Sequence, residues 1–261
     1  MSCEACLTLP TVVPTGYTTK GSEKMAGLEA NCSTDITGSA TSTVCIIDVY
    51  DAFGMASQTL QGADILATAL NAVVLVPDFF KGEPAKHEWV PPDTDEKRQL
   101  FIKFMTERAA FPGNVDALLQ TVKEAKEKYP SITVWRTFGL CWGGKKKVNP
   151  KPLLTRVTIV QVVALASGPG TPFAATGQTH PVCTKYSAQH VVLASKDEPA
   201  DAVADYKEVI ESNGKGGFVE TYSTMHHGWM GARANLEDEA NLKEYIRGYT
   251  QFAEFFKKYL K

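Results

Sequence analysis

The sequence predicts one α/β domain, residues 1–261, built on a mainly parallel central sheet with helices on both faces. Short β-branched runs bounded by Pro, Gly and Asp alternate with longer segments of helical period, which is typical of βα units. A chain of 261 residues is long enough for one large core, and no shift in composition divides it.

The predicted elements follow these runs in chain order. We predict strands at Val44–Tyr50, Val73–Pro77, Ile132–Leu140, Ala174–His180, His190–Ser195 and Phe218–Ser223. We predict helices at Thr59–Leu70, Asp95–Ala110, Asn114–Tyr129 and Ala202–Ser212, with one more at the C-terminal end. In that last helix the residues expected to face the core are Leu242, Ile246, Tyr249, Ala253, Phe256 and Leu260. The Pro-rich and charged stretch Asp78–Pro112 is either a rim beside a site or a solvated excursion.

The charge of the chain bears on its partners. The formal net charge is −2, which argues against nucleic acid as the main partner. No leader pattern and no apolar run near the ~20 residues of a bilayer span is visible, so we expect a cytoplasmic protein that does not bind a membrane. In that setting the six cysteines are expected to be thiols. We further expect a small-molecule substrate, no cofactor, and a monomer or homodimer.

The segment Phe138–Gly144 carries the strongest chemical signal. A predicted strand runs directly into Gly-x-Cys-x-Gly, with Cys141 at its centre. An elbow of this type holds a nucleophile in a strained turn, and the glycines remove side chains that would clash there. A thiol at the start of a helix also lies near the positive end of the helix dipole, which favours the thiolate. The other interpretation is a small buried cysteine between packing glycines.

A cysteine nucleophile needs a base, and the base needs an orienting carboxylate. After Cys141 the chain offers an apolar strand that ends at Asp197, and then a strand that runs into His227. The order nucleophile, acid, histidine is that of the α/β-hydrolase fold.

Position alone does not separate neighbouring candidates. His226 competes with His227 as the base. Glu198 and Asp201 compete with Asp197, which is also placed to be a helix N-cap.

Six motifs spread over the chain form a recognisable set. They are Asp48–Gly54, Gln58–Ala67, Val76–Gly82, Gly139–Gly144, Leu193–Asp197 and His226–Trp229. Together they resemble the dienelactone hydrolase family, particularly its fungal branch, over nearly the whole chain. The resemblance implies an α/β-hydrolase fold and hydrolysis of a lactone or small carboxylic ester.

The resemblance also implies roles for individual residues. It makes Cys141 the nucleophile, Asp197 the acid and His227, directly before a glycine, the base. The backbone N–H groups of Trp142 and Ala52 are then expected to form the oxyanion hole, which stabilises charge that develops only in the tetrahedral intermediate.

Three more residues are expected to lie beside the nucleophile or the substrate: Asp51, His226 and Trp229. By resemblance, Asp51 matches an acidic residue that contacts the resting nucleophile. The best-known members carry glutamate there.

The segment Lys147–Gln161 departs from the family pattern. Cations and prolines follow Gly144, where the fold calls for a helix, so a helix here is expected to break near Asn149. Joining Lys146 directly to Val162 gives a better elbow helix. We therefore interpret these 15 residues (161 − 146) as an insertion. A short in-frame intron read as coding sequence is one source of such a segment.

Two functions from different classes remain. The first is hydrolysis of a lactone or small ester through a thioester on Cys141. The second is non-catalytic binding of a small molecule, with an elbow helix disrupted by the insertion. A redox or metal module on Cys3 and Cys6 lacks the strand or the second ligand cluster that such a motif needs.

Deletion of Lys147–Gln161 tests the insertion. We expect the shortened chain to melt at a higher temperature and to hydrolyse an aryl ester faster, because an intact elbow helix holds its nucleophile more rigidly and positioning errors near 1 Å cost ~10²-fold in rate. Thermal unfolding and ester turnover are compared for the two purified proteins. A less stable and less active deletion variant shows that the segment is an integral part of the fold.

Overall fold

The computed structural model describes residues 12, 17–21, 23–26, 33–145, 157–161, 189–212 and 214–260. Its β-strands are β1 (Glu23–Ala26), β2 (Ser33–Thr37), β3 (Val44–Val49), β4 (Val73–Pro77), β5 (Val134–Gly139), β6 (Val157–Gln161), β7 (His190–Ser195) and β8 (Gly217–Tyr222). The first six form one sheet in the order β1-β2-β4-β3-β5-β6. Strand β2 runs antiparallel to β1 and β4, whereas β4, β3, β5 and β6 are parallel. Strands β7 and β8 form a parallel pair, and β7 lies against β6.

In the described residues, five α-helices connect or follow these strands. They are α1 (Ser57–Leu70), α2 (Asp95–Thr106), α3 (Phe111–Lys128), α4 (Ala200–Ser212) and α5 (Glu239–Tyr259). The side chain of Thr94 caps α2 by accepting a hydrogen bond from the backbone N–H of Lys97. Asp238 caps α5 in the same way through Asn241. No helix in the described part of the chain is long and apolar enough to span a bilayer.

The structure confirms the α/β class and five of the six predicted strands to within two residues at either end. The sixth, Ala174–His180, lies outside the described residues. The two N-terminal strands were not predicted, because their sequences, EKMA and STDIT, carry no continuous apolar run. Their antiparallel pairing extends the sheet beyond β4.

Strand β6 occupies the last five residues of the predicted insertion. Val157–Gln161 pairs in parallel with β5, from Trp135 opposite Val157 to Gly139 opposite Gln161. The run Val-Thr-Ile-Val has high β propensity, so it joins the sheet rather than a surface excursion. The rest of the predicted insertion, residues 147–156, lies outside the described part. The deletion experiment therefore decides between a strand that the fold requires and one that the chain can replace.

The buried face of α5 differs from the predicted face. Tyr249, Ala253 and Phe256 are buried as expected, but Ile246 is 48% exposed. The other buried side chains are Asn241, Tyr245, Phe252 and Phe255. The true face is rotated toward these aromatic rings, because burying a ring removes more apolar surface than burying a short aliphatic side chain.

Helices α1 and α5 approach each other closely at Gly62. A Cβ built on Gly62 would lie 2.0 Å from Cζ of Tyr249. The Tyr249 ring is fully buried and its hydroxyl donates a hydrogen bond to the carbonyl of Met230 at 2.9 Å. The ring therefore has little room to move.

Gly62→Ala is expected to destabilise the protein by about 1–3 kcal/mol through overpacking. Urea unfolding measures the change. Gly113→Ala in α3 is the matched control, because a Cβ there meets nothing within 4 Å. That substitution should leave stability unchanged or raise it by about 0.4–1 kcal/mol. Equal effects of the two substitutions on stability would show that the α1–α5 contact at Gly62 can accommodate a methyl group.

Candidate active site

Cys141 lies two residues after β5, at the carboxyl edge of the parallel strands. Its φ is +49°, the left-handed region, which costs a residue with a Cβ about 1–3 kcal/mol. Two hydrogen bonds close the turn: the N–H of Gly143 donates to the carbonyl of Leu140, and the N–H of Gly144 donates to that of Cys141. The side chain of Cys141 is half-buried. The structure thus forms the strained elbow that the motif predicts.

The elbow requires its glycines because other backbone lies against them. A Cβ on Gly139 would lie 2.4 Å from the carbonyl carbon of Gly143. A Cβ on Gly143 would lie 1.8 Å from the carbonyl oxygen of Val49 in β3. No ordinary contact is that short, so both positions exclude every other residue type without a backbone shift. The Gly-x-Cys-x-Gly spacing is therefore a packing requirement between β3 and β5.

His227 faces the thiol. Its Nε2 lies 3.1 Å from Sγ of Cys141, across 86 residues of sequence. The ring is fully buried. Nucleophile and base candidates are therefore in direct hydrogen-bond contact.

Glu198, rather than Asp197, lies against the other ring nitrogen. Its Oε1 is 3.0 Å from Nδ1 of His227 and also accepts a hydrogen bond from the Ser195 hydroxyl at 2.8 Å. This corrects the expected contact of Asp197 with the imidazole. Both carboxylates follow β7 directly, and the turn after Ser195 directs the second of them inward. Glu198 was one of the two rivals that position alone left open beside Asp197.

Asp197 binds the backbone of the same histidine. Its Oδ2 accepts the N–H of His227 at 2.8 Å. Two adjacent carboxylates thus hold His227, one by its main chain and one by its ring.

The Glu198 contact favours one tautomer of His227. An ionised carboxylate only accepts hydrogen bonds, so beside an ionised Glu198 the proton of the ring is on Nδ1, and this N–H donates a hydrogen bond to Oε1. Nε2 then has a lone pair toward the Cys141 thiol. This is the form that can remove the proton from Sγ.

Asp51 joins the loop after β3 to the loop after β8. It is 3% exposed, and it accepts hydrogen bonds from the N–H groups of Phe53 at 2.9 Å and Ala232 at 2.8 Å. These bonds go to backbone and not to the thiol, in contrast to the expected role of Asp51. Burial raises the pKa of the Asp51 carboxyl, while the two N–H donors and the charges of Arg233 and His227 act in the opposite direction.

His226 and Trp229 both have contacts within the protein. Nε2 of His226 lies 3.0 Å from the carbonyl of Arg233, and burial lowers the pKa of this imidazole. In a neutral His226 ring the Nε2–H can donate to the carbonyl of Arg233. This hydrogen bond closes the loop from residue 226 to residue 233. Trp229 is 2% exposed and stacks on Tyr222 with ring centroids 4.3 Å apart, so it is a core residue.

The two predicted oxyanion donors lie on neighbouring loops. In the parallel ladder Val49 of β3 is opposite Gly139 of β5. Ala52 and Trp142 each lie three residues beyond this pair, and both are buried. The sheet register therefore brings the two residues to the same edge, beside Cys141.

The structure adds a stack of three side chains that the sequence did not single out. The ring of Phe53 stacks on His87 with centroids 5.1 Å apart, and the Arg233 guanidinium carbon lies 5.2 Å from the Phe53 ring. Arg233 is 3% exposed and interacts with the charge of Asp51. Phe53 lies in the motif Asp48–Gly54, but no periodicity or motif pairs it with His87 or Arg233, because the three side chains meet from separate parts of the chain.

The chain is similar to known proteins over most of its length. The model of the dienelactone hydrolase family matches residues 36–260. Two uncharacterized AIM2 family proteins of Schizosaccharomyces pombe are similar: one is 33% identical over 233 residues, 86% of this chain and 87% of that protein. The other is 32% identical over 247 residues, 92% of each.

Solved structures are similar in fold. A dienelactone hydrolase from Anabaena variabilis has a TM-score of 0.56 at 12% identity, covering 90% of this chain and 95% of that one. The dienelactone hydrolase-like promiscuous phosphotriesterase P91 from metagenomic libraries has a TM-score of 0.57 at 14% identity, covering 87% and 92%. The α/β-hydrolase fold is therefore confirmed.

Alkylation of Cys141 by iodoacetamide tests which carboxylate supports His227. Glu198→Gln should slow alkylation at neutral pH by about ten- to a hundredfold, since a charge-assisted hydrogen bond to the imidazolium is worth about 1.5–3 kcal/mol. Asp197→Asn keeps an oxygen acceptor for the His227 N–H and should have a smaller effect. Peptide mapping after brief labelling gives both rates. A larger effect of Asp197→Asn would return the ring-orienting role to that residue.

Proposed function

Because the chain belongs to the dienelactone hydrolase family, we propose that it is a hydrolase that cleaves a lactone or small carboxylic ester through a thioester on Cys141. One observation carries the proposal: the relay from Cys141 Sγ through His227 to Glu198, with contacts of 3.1 and 3.0 Å, at a strained elbow. Nucleophile, base and orienting acid in this arrangement support acyl transfer.

In the acylation step, Nε2 of His227 takes the proton from the Cys141 thiol, and Sγ attacks the carbonyl carbon of the substrate. The carbonyl π electrons move onto oxygen, and the N–H groups of Trp142 and Ala52 stabilise the resulting oxyanion. Glu198 stabilises the imidazolium. The C–O bond to the leaving group then breaks, and His227 gives its proton to the departing oxygen. A thioester on Cys141 remains.

In the deacylation step, His227 takes a proton from water and the hydroxide oxygen attacks the thioester carbonyl. The second tetrahedral intermediate collapses by breaking the C–S bond, and the thiolate takes the proton back from His227. An open ester releases an alcohol and an acid. A lactone releases one hydroxy acid, because its leaving group stays attached to the acyl chain.

A thiol nucleophile restricts the leaving group. The first tetrahedral intermediate can expel either the substrate oxygen or the thiolate, whose conjugate acid has a pKa near 8.5. An alkoxide is a poorer leaving group than this thiolate, whereas a phenolate or an enolate oxygen competes with it. Esters and lactones with an aryl or enol oxygen are therefore the substrate class that we propose.

Turnover of p-nitrophenyl butyrate tests the function. Cys141→Ala should lower kcat by roughly 10⁴–10⁶-fold, because the covalent route is lost. Cys45→Ala is the control, since Cys45 is buried at the opposite end of β3 and should leave turnover intact. Intact mass after rapid acid quench should show one butyryl group on the wild-type chain and none on the Cys141→Ala chain. Binding of esters and lactones without any turnover would instead support the non-catalytic alternative.

A further inference from the structure

We propose that residues 78–110, here called the bracket, hold the oxyanion hole in place, and that the indole N–H of Trp142 is the positioning group through which they do so. The bracket runs from the end of β4 to the start of α3. The inference rests on the proposed function, because it assigns the parts that align two backbone donors for that reaction.

The bracket contacts the elbow through Trp142. This residue directly follows the nucleophile, and its indole Nε1 donates a hydrogen bond to the carbonyl of Ala109 at 3.0 Å. The ring is 1% exposed and packs against Phe80 and Phe79, with centroid distances of 4.7 and 5.9 Å. A buried N–H with one well-placed acceptor fixes the rotation of the ring, and the ring in turn fixes the backbone that carries the Trp142 N–H.

The bracket also contacts the loop that carries the second donor. The N–H of Ala85 donates to the carbonyl of Ala52 at 2.9 Å. Tyr50, two residues before Ala52, also binds the bracket. Its hydroxyl accepts a hydrogen bond from the N–H of Phe80 at 2.9 Å and donates one to Asp78 at 3.3 Å. One segment is thus bonded both to Trp142 and to Ala52, the two residues whose N–H groups must point to the same oxygen.

These contacts are separate from those that activate the thiol. Ser195, Asp197 and Glu198 position His227 from the end of β7, on the other side of the elbow. Loosening the bracket should therefore misplace the oxyanion donors while Cys141 keeps its base. Two reactions of Cys141 distinguish these effects. Ester hydrolysis passes through an oxyanion, whereas alkylation by iodoacetamide displaces iodide at a saturated carbon and forms none.

The test is Trp142→Phe, which keeps an aromatic ring in the pocket and removes the indole N–H. We expect kcat for p-nitrophenyl butyrate to fall about ten- to a hundredfold with KM changed little, somewhat less than the loss of a whole donor. Butanal, which adds reversibly to the thiol and places a tetrahedral oxygen in the same hole, should bind more weakly by a similar factor. The alkylation rate of Cys141 should stay within about twofold of wild type, because thiolate reactivity depends on His227.

Trp135→Phe is the matched control, since Trp135 is a buried tryptophan at the far end of the same strand, β5. It should leave all three measurements unchanged. If Trp142→Phe fails to fold, Tyr50→Phe removes the acceptor for the Phe80 N–H and should give the same pattern.

Unchanged turnover and butanal affinity in the Trp142 variant would overturn the proposal. An equal loss of alkylation would overturn it as well, because the indole would then support the whole elbow rather than the oxyanion hole. Butanal binding needs the thiol and the oxyanion hole but no hydrolysis. It therefore tests this proposal separately from the proposed function. Ester turnover that does not depend on Cys141 would refute the function alone.

Discussion

The backbone at Cys141 is held at φ +49°, and the site depends on the packing that keeps it there. Strands β3 and β5 lie side by side, and the carbonyl of Val49 accepts the N–H of Leu140 at 2.9 Å. Gly139 and Gly143 let the turn fold back against this pair. The strain of about 1–3 kcal/mol is outweighed by the many contacts of the buried β3–β5 ladder. The strained turn places the thiol beyond the sheet edge, next to the loops that carry His227 and Ala52.

The histidine is fixed by a different means. Cys141 relies on strain within one turn, whereas His227 is held from outside by two consecutive carboxylates after β7. Asp197 binds its backbone N–H at 2.8 Å, and Glu198 binds its ring at 3.0 Å. The ring orientation therefore depends on a short turn, in which the Ser195 hydroxyl also binds Glu198.

The sequence predicted most elements of the fold, because apolar runs and helical periodicity reflect which residues are buried. The bounds of Val73–Pro77 and His190–Ser195 were predicted to the residue. The chain order of nucleophile, acid and histidine predicted where the partners of Cys141 lie, and the family resemblance selected His227 and Asp197 from their neighbours. The selection of Asp197 as the acid that contacts the ring was wrong, because Glu198 makes that contact. Side chains one residue apart at the end of a strand point in different directions, and only the turn geometry decides between them. The sequence could not predict the contacts of Phe53 with His87 and Arg233, because they form only in the tertiary structure.

In the proposed reaction, charge links these parts. Transfer of the Cys141 proton to His227 would place a thiolate and an imidazolium together in a buried site, where an unpaired charge is costly. Glu198 lies against the imidazolium, and the charge of Asp51 is also favourable to it. Burial alone would favour a neutral Asp51, but the N–H groups of Phe53 and Ala232 and the charge of Arg233 support its ionised form. The same two N–H bonds join the loops after β3 and β8. The group that balances the charge on His227 therefore also ties the oxyanion loop to the histidine loop.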